Sequence, residues 1–342
     1  MKIELYLDRG NGSSKVLSAV DDVLQAPFKI PSVTRNVNTF ENGLRITKSG
    51  KVFLCGEPAI ETFEGKRYTP LDNNDKIQDL SVVVAAALSK IVPDGGPIEL
   101  SVCVSSTIYY RGMEQEVRRE LSKLEAGFSR GTCQYSILIE KIGAFQEGVL
   151  FLELNTRFNG VIDLGHGTLL AGVRYPNRGV LPLPLSDGNL GGCNLILTAL
   201  LSDDRFLKAV KKAGFPSAPS PDKLASLLSG GRWEVKGIDF RSFLKPHMRI
   251  AKQRLENAAQ SVRAELQNAS PYDTIKPAIA FVGGGSSLFQ GVLGDLVEAW
   301  CEKHGLIQIT EAPDYQTVMQ MREISVACPE RLMSFTEEVA AA

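Results

Sequence analysis

Asp8-Arg9-Gly10-Asn11-Gly12-Ser13 and Asp163-Leu164-Gly165-His166-Gly167-Thr168 are two copies of one pattern, Asp-x-Gly-x-Gly-Ser/Thr, in a chain of 342 residues. Every matched position is shifted by 155 residues. In each copy an apolar, strand-like run leads into the pattern and another leaves it, which predicts a β-hairpin with a glycine turn. The constant shift predicts two related domains, one in each half of the chain.

The residue types in these turns favour phosphate binding. Glycines let the backbone lie close to a ligand, and turn N–H groups with a hydroxyl beside them cradle phosphate oxygens. An aspartate at each strand end places a carboxylate where a phosphate-bound divalent cation sits. Either aspartate alone is more often a turn-former. Their occurrence together predicts a nucleotide gripped between the two domains.

A third glycine cluster follows an apolar strand pattern late in the chain. Gly283-Gly284-Gly285-Ser286-Ser287 comes directly after Phe281-Val282 and precedes a helix pattern. A helix N-terminus behind a glycine turn favours anions. Such turns are mostly structural when they occur alone, so this cluster gains weight only from following the two hairpins.

Composition narrows the class of protein. The hydrophobic share of 44% and charged share of 23% are ordinary for a globular chain. A formal net charge of -1 argues against direct nucleic-acid binding through a basic surface. Six scattered cysteines without a Cys-x-x-Cys pair, and only three histidines, argue against a zinc or redox site. We see no apolar run long enough to span a membrane, and expect a cytoplasmic protein.

Taken together, the three patterns resemble a known superfamily. Asp8-x-Gly10-x-x-x-x-Lys15, the second hairpin and the glycine cluster occur in the order of the phosphate-1, phosphate-2 and adenosine motifs of the actin-like ATPases. Ile30-Pro31-Ser32 and the segment 52–59 are similar to segments of the bacterial ParM/StbA plasmid-segregation actins. The segment 313–321 departs from the superfamily, because it lacks the usual glycine of the second connecting helix.

The resemblance implies an α/β, actin-like fold of two duplicated domains around a nucleotide cleft, each with a small inserted subdomain. The first domain is expected over 1–155, with a β-rich insertion at about 26–80 and a C-terminal helix at about 325–342 that returns to it. The second is expected over 156–324, with a helical insertion at about 202–250. Within these domains we predict helices over 141–152, 288–304 and 329–340.

The resemblance also implies roles for individual residues. Asp8 and Asp163 would hold Mg²⁺, mostly through its waters, and Asp163 would also serve catalysis. Glu140 is assigned the water-orienting role at the start of the first connecting helix, with Gln146 as the alternative. The residues expected to bind ATP or GTP are Asp8, Gly10, Asn11, Gly12, Ser13, Lys15, Gly165, His166, Gly167, Thr168, Lys252, Glu256, Gly283, Gly284, Gly285 and Ser286. Lys252 and Glu256 are candidates only, because no clear match to the adenine-contacting pair exists.

The function implied by the resemblance is a Mg-dependent ATPase, or GTPase, that forms head-to-tail filaments and drives plasmid segregation through a DNA-binding adaptor protein. No membrane partner is expected. Two alternatives remain open from the residues: a small-molecule kinase of the same fold, and a non-polymerising nucleotide-binding scaffold.

Overall fold

A computed structural model describes residues 1–10, 12–62, 64–68, 76–106, 112–186, 188, 191–215, 217–229, 231–269 and 277–335. The chain folds into two compact units. The first comprises residues 1–147 and 317–342, and the second comprises residues 148–316. Among the described residues, no helix is both long and apolar enough to cross a membrane.

The strands are β1 (Lys2–Arg9), β2 (Ser13–Val20), β3 (Val23–Leu24), β4 (Phe28–Pro31), β5 (Thr34–Val37), β6 (Leu44–Ile46), β7 (Val52–Cys55), β8 (Lys66–Tyr68), β9 (Gly96–Ser106), β10 (Phe128–Arg130), β11 (Cys133–Gln146), β12 (Gly160–Leu164), β13 (Leu169–Tyr175), β14 (Gly179–Leu183), β15 (Glu234–Val235), β16 (Ile238–Asp239), β17 (Ile279–Val282), β18 (Leu306–Gln308) and β19 (Met333–Ser334). The helices are α1 (Glu57–Glu61), α2 (Leu80–Ile91), α3 (Met113–Leu121), α4 (Leu150–Leu154), α5 (Asn194–Leu201), α6 (Asp204–Lys212), α7 (Pro221–Ser229), α8 (Phe240–Leu244), α9 (Met248–Ala269), α10 (Gly284–Leu293), α11 (Leu296–Lys303) and α12 (Gln316–Ala327).

The first unit is built on one large mixed sheet. β1 pairs antiparallel with β2 and parallel with β9, and β9 pairs parallel with β11. β1 is buried along most of its length, and α2 is buried almost all round, which matches its sequence LSVVVAAALSKI. Since the carboxyl ends of parallel strands meet at one edge of a sheet, the ends of β1, β9 and β11 lie together.

The second unit repeats this topology on a smaller scale. Its main sheet has the order β14-β13-β12-β17-β18, in which β12 pairs antiparallel with β13 and parallel with β17. The corresponding strands of the first unit run β4-β2-β1-β9-β11. The duplication inferred from the 155-residue shift is therefore present as two sheets with the same strand connections.

The regions expected to be insertions differ in kind. Between β3 and α2 the described residues form five short strands, β4 to β8, and the five-residue helix α1. Between α5 and α9 lie three helices and the small hairpin β15–β16. The boundary between the units falls at Glu147, eight residues before the expected 155, because α4 packs on β12 and β13.

The helix expected over 141–152 is wrong. This segment continues β11 as far as Gln146, and only Leu150–Leu154 is helical. Alternate residues of β11 are buried, with Tyr135, Ile137 and Ile139 on the inner face, and this period of two is typical of a strand. Pairing with β9 along its length favours the extended chain over the local helix pattern.

Two further helix predictions need correction. Pro329–Arg331 forms a 3₁₀ turn followed by β19, which pairs with β11, and residues 336–342 lie outside the described part. The helix expected over 288–304 begins earlier, at Gly284, and is two helices, because Gly294 adopts a left-handed φ of 57° between them.

Candidate functional site

The first hairpin turn lies at the carboxyl end of β1. Asp8 is buried there, and its Oδ2 accepts a hydrogen bond from Lys15 Nζ at 2.8 Å. The turn rests on the segment after β4, where Ser14 and Ser32 share a hydrogen bond of 2.9 Å between their hydroxyls. The structure thus brings the predicted pair Asp8 and Lys15 together. Asn11 lies outside the described residues.

Asp8 belongs to a buried cluster that spans three parallel strands. Ser105 Oγ, near the end of β9, lies 3.0 Å from Asp8 Oδ1 and 3.0 Å from Glu147 Oε1. Glu147 directly follows β11, and its two carboxylate oxygens accept hydrogen bonds from Lys76 Nζ at 2.6 and 2.7 Å. A serine hydroxyl carries one proton, so it links the two carboxylates as a single donor.

The electrostatics of this cluster distinguish its two acids. Burial raises the pKa of Asp8, but the ammonium groups of Lys15 and Lys76 outweigh burial and hold that pKa below its ordinary value. Burial raises the pKa of Glu147 above its ordinary value, against the charge of Lys76, and the carboxylate of Asp8 raises it further. The two buried acids therefore differ in the direction of their pKa shifts, which is downward for Asp8 and upward for Glu147.

Glu140 and Gln146, the two residues predicted to orient water, both lie in β11 and not at the start of a helix, and their role stays a prediction. Glu140 is the extra residue of a bulge within β11, between Ile139, which pairs with Leu100, and Lys141, which pairs with Ser101. Its side chain lines a pocket of about 200 Å³ with Glu4, at the opposite end of β1 from Asp8. Glu4 and Asp8 are four positions apart along β1, which corresponds to a distance of about 13 Å along the strand at the usual rise per residue.

Gln146 is the last residue of β11 and pairs with Ser106. The residue that reaches the cluster is its neighbour, Glu147. The sequence held a usable signal: read as a strand, β11 is followed directly by an acid, Glu147, at the same sheet edge as Asp8. The assignment of 141–152 as a helix concealed it.

The second hairpin turn is fastened to the start of α5. Gly191 N donates to Gly167 O at 2.8 Å, Cys193 N donates to Gly165 O at 3.1 Å, and Asn194 N donates to His166 O at 2.7 Å. A Cβ atom added at Gly192 would lie 2.8 Å from Thr168 N, which leaves no room for a side chain there. The predicted residues of this turn therefore form one compact loop with the helix behind it.

Asp163 meets the third glycine cluster within the second unit. Gly283 has a φ of 90°, and an added Cβ there would collide with Asp163 Oδ1 and lie 2.7 Å from Leu164 O. A Cβ atom added at Gly284 would lie 2.7 Å from Asp314 Oδ1. The glycines thus let α10 begin against the end of β12.

Three other predicted binding residues have contacts that the sequence did not indicate. Ser286 is fully buried, and its hydroxyl donates back to Gly283 O at 2.9 Å. Lys252 Nζ lies 5.9 Å from the ring centre of Trp300, and Glu256 Oε1 lies 3.3 Å from His304 Nε2. The latter two side chains pack α9 against α11, and their role in base binding stays a prediction.

The side chains around Asp8 suit a magnesium ion that keeps most of its waters better than one coordinated directly by several protein ligands. Among the described residues, no three acidic, cysteine or histidine side chains converge as a metal site would require. Both oxygens of Asp8 already accept hydrogen bonds, from Lys15 and Ser105. Because Mg²⁺ keeps several waters and is bound by one or two carboxylates plus phosphates, Asp8 would meet it through water.

Comparisons with known proteins identify the fold that this architecture represents. No protein-family model matches the sequence, and no curated protein matches it. Among solved structures, the archaeal actin homolog Ta0583 superposes with a TM-score of 0.61 at 19% identity, covering 95% of this chain and 99% of that one.

Two more solved structures agree. The Alp12 filament structure gives a TM-score of 0.55 at 15% identity, with 95% and 98% of the chains covered. ParM of Bacillus thuringiensis with ATP gives a TM-score of 0.52 at 15% identity and the same coverage. Similarity over nearly the whole of each chain shows that this protein has the actin-like fold.

Proposed function

We propose that the chain binds a nucleoside triphosphate through the turns of both hairpins and hydrolyses it, and that the bound nucleotide controls head-to-tail self-assembly. The observation that carries the proposal is the buried cluster of Asp8, Ser105, Glu147 and Lys76 beside a glycine turn. Phosphoryl transfer to water needs a held triphosphate and an oriented water, and such a cluster offers an acceptor for the proton of that water. The similarity to a ParM structure with ATP and to a filament structure supports it.

Glu147 takes the water-orienting role in this proposal, in place of Glu140 and Gln146. Its carboxylate accepts a hydrogen bond from the attacking water and then its proton, as the new oxygen–phosphorus bond forms and the bond to the β-phosphate oxygen breaks. Backbone N–H groups of the two turns, with Lys15, hold the phosphates. Mg²⁺ supplies charge neutralisation on the phosphate oxygens when it is bound.

The test compares two acids, Glu140 within β11 and Glu147 directly after it. Glu147→Gln removes the proton acceptor but keeps the shape, and Glu140→Gln is the matched control about one strand-length away. We expect Glu147→Gln to lower kcat strongly with little change in the dissociation constant of the nucleotide, while Glu140→Gln hydrolyses normally. The reverse pattern would restore the assignment of Glu140 and contradict ours.

Binding and assembly are tested separately. Calorimetry with ATP, GTP and ADP, each with and without Mg²⁺, measures affinity and base preference. Sedimentation and light scattering with the same nucleotides measure polymer. Binding without scattering at high protein concentration would leave a non-polymerising scaffold, and product analysis with sugars tests the kinase alternative.

The finer form of the proposal is a filament that moves plasmid DNA through a DNA-binding adaptor. The similarity to the AlfA filament from a B. subtilis plasmid, with a TM-score of 0.50, supports filament formation, and the DNA cargo and the adaptor are part of the proposal. Filaments are expected to bind no naked DNA, given the net charge of -1.

A further inference from the structure

Lys76 is a buried lysine that sequence patterns did not single out. Its side chain is 3% exposed, and its ammonium group contacts both oxygens of Glu147, whose side chain is 8% exposed. Exposed ion pairs hold their partners loosely, but a buried ammonium that meets both carboxylate oxygens fixes the plane of the carboxylate. The orientation of Glu147 therefore depends on where Lys76 is held.

The backbone at Lys76 is fastened to the first hairpin. Arg9, the residue after Asp8, is 1% exposed, and its Nη1 donates to Lys76 O at 2.9 Å and also to Gln78 O. The guanidinium lies against the ring of Tyr68, with its carbon 5.6 Å from the ring centre. The last residue of β1, next to Asp8, thus sets the position of the lysine that contacts Glu147.

The segment that follows adds rigidity. Leu80 N donates to Ile77 O at 3.1 Å, and α2 then begins, with nearly every side chain buried. Side chains supported by packed elements keep their geometry better than those on loops. Lys76 is therefore held from two sides, by Arg9 and by α2.

Stability alone does not account for this pair. A buried ion pair is often no more stabilising than apolar residues of the same volume, because desolvation offsets the attraction. A lone buried carboxylate beside Asp8 would, however, take up a proton and lose its use as an acceptor. Lys76 opposes that uptake, and it also fixes the direction of the remaining lone pairs.

We propose that Lys76 is a positioning residue for nucleotide hydrolysis, which holds the Glu147 carboxylate in one orientation beside Ser105. This inference rests on the proposed function of Glu147. Lys76 itself is assigned no contact with the nucleotide. Its replacement is therefore expected to lower turnover without changing nucleotide binding.

The experiment measures kcat per bound nucleotide, KM and the nucleotide dissociation constant in the full chain. Lys76→Met removes the ammonium, Lys76→Arg keeps the charge, and Lys51→Met is the control at an exposed lysine. We expect Lys76→Met to lower kcat about 10²-fold, the usual size of a lost acid–base contribution, with KM and the dissociation constant unchanged. Lys76→Arg is expected to recover part of the rate.

A double variant tests the route of the effect. Lys76→Met added to Glu147→Gln is expected to slow hydrolysis no further than Glu147→Gln alone, because Lys76 acts through that carboxylate. If Lys76→Met does not fold, Lys76→Gln, a neutral donor of similar length, takes its place with the same expected result.

Three results would overturn the inference. The first is a wild-type kcat in Lys76→Met or Lys76→Gln, and the second is weaker nucleotide binding, seen as a larger dissociation constant, with kcat preserved. The third is a double variant in which the losses of kcat from the two single variants multiply. The second would indicate that Lys76 contacts phosphate directly. Failure of the underlying function is separately visible, since Glu147→Gln would then hydrolyse nucleotide as fast as the wild type.

Discussion

Replacing Gly283 by alanine tests how tightly the glycine cluster is fitted to the second hairpin. At φ 90° and ψ 168°, the residue lies in a region open almost only to glycine, and a side chain there costs about 1–3 kcal/mol. The new Cβ would also collide with Asp163 Oδ1 and approach Leu164 O at 2.7 Å. Such crowding adds about 1–3 kcal/mol. We therefore expect the free energy of unfolding to fall by about 2–6 kcal/mol, and nucleotide binding to weaken as Asp163 is displaced.

A matched control lies at the other end of the same helix. Gly294 has a φ of 57°, but no described atom lies within 4 Å of an added Cβ, so Gly294→Ala carries the backbone cost alone. The chain has two tryptophans, Trp233 and Trp300, and both lie in the second unit. Tryptophan fluorescence in urea therefore reports the unfolding of that unit.

With a urea slope of about 2 kcal/mol per molar, the two variants should differ in midpoint by about 0.5–1.5 M. Equal midpoints for Gly283→Ala and Gly294→Ala would refute the close contact between α10 and the end of β12. An unchanged nucleotide affinity in a destabilised Gly283→Ala would show that Asp163 does not contribute to binding.

Three further outcomes are expected. Asp163→Ala should weaken nucleotide binding at least about tenfold and reduce turnover with it, measured by calorimetry and phosphate release, because it removes a charged acceptor; wild-type values would contradict the second phosphate site. Glu147→Gln should prolong the lifetime of polymers formed with triphosphate, measured by light scattering, because the diphosphate state forms slowly; rapid disassembly would argue against coupling of hydrolysis to assembly. Asp8 has a lowered pKa in the folded chain, so its stabilisation is present above about pH 4 and is lost as the pH falls below that value. Asp8→Asn should flatten the loss of stability below about pH 4, followed by circular dichroism, and an unchanged slope would contradict the ion pair with Lys15.

The hairpins could be predicted from sequence because their determinants are local. Asp, Gly and Ser or Thr at fixed spacing demand a turn, and the flanking apolar runs demand strands. A 155-residue repetition of such a turn then constrains the whole fold. The glycine cluster at Gly283 was predictable for the same reason, though its contact with Asp163 was not.

The prediction for the segment after Ile139 failed for the opposite reason. Its residues suit a helix locally, and what makes them a strand is pairing with β9, whose residues lie about 40 positions earlier. The bulge at Glu140 also shifts the alternation of side chains, so neither period is clean. Errors of this kind affect functional assignments, since the predicted helix led to Glu140 as the water-orienting candidate, whereas the observed strand leads us to propose Glu147.

Lys76 and Ser105 were beyond sequence reasoning altogether. Each is a common residue type in an unremarkable stretch, and each gains its role only from the side chains that the fold brings to it. Ser105 is 97 residues from Asp8 and 42 residues from Glu147 along the chain. No local pattern carries information over such separations.

The chain path has a consequence for synthesis on the ribosome. The second unit is one continuous segment of residues 148–316, whereas the first is completed only by residues 317–342. At translation rates of about 5–20 residues per second, the first 147 residues wait roughly 10–40 s before α12 and β19 arrive. During that interval β11 lacks its partner β19, and Tyr6 lacks the hydroxyl of Ser325. The yield of folded protein therefore depends on how well the incomplete sheet of the first unit resists chaperone binding and proteolysis. The second unit can complete its fold during the same interval.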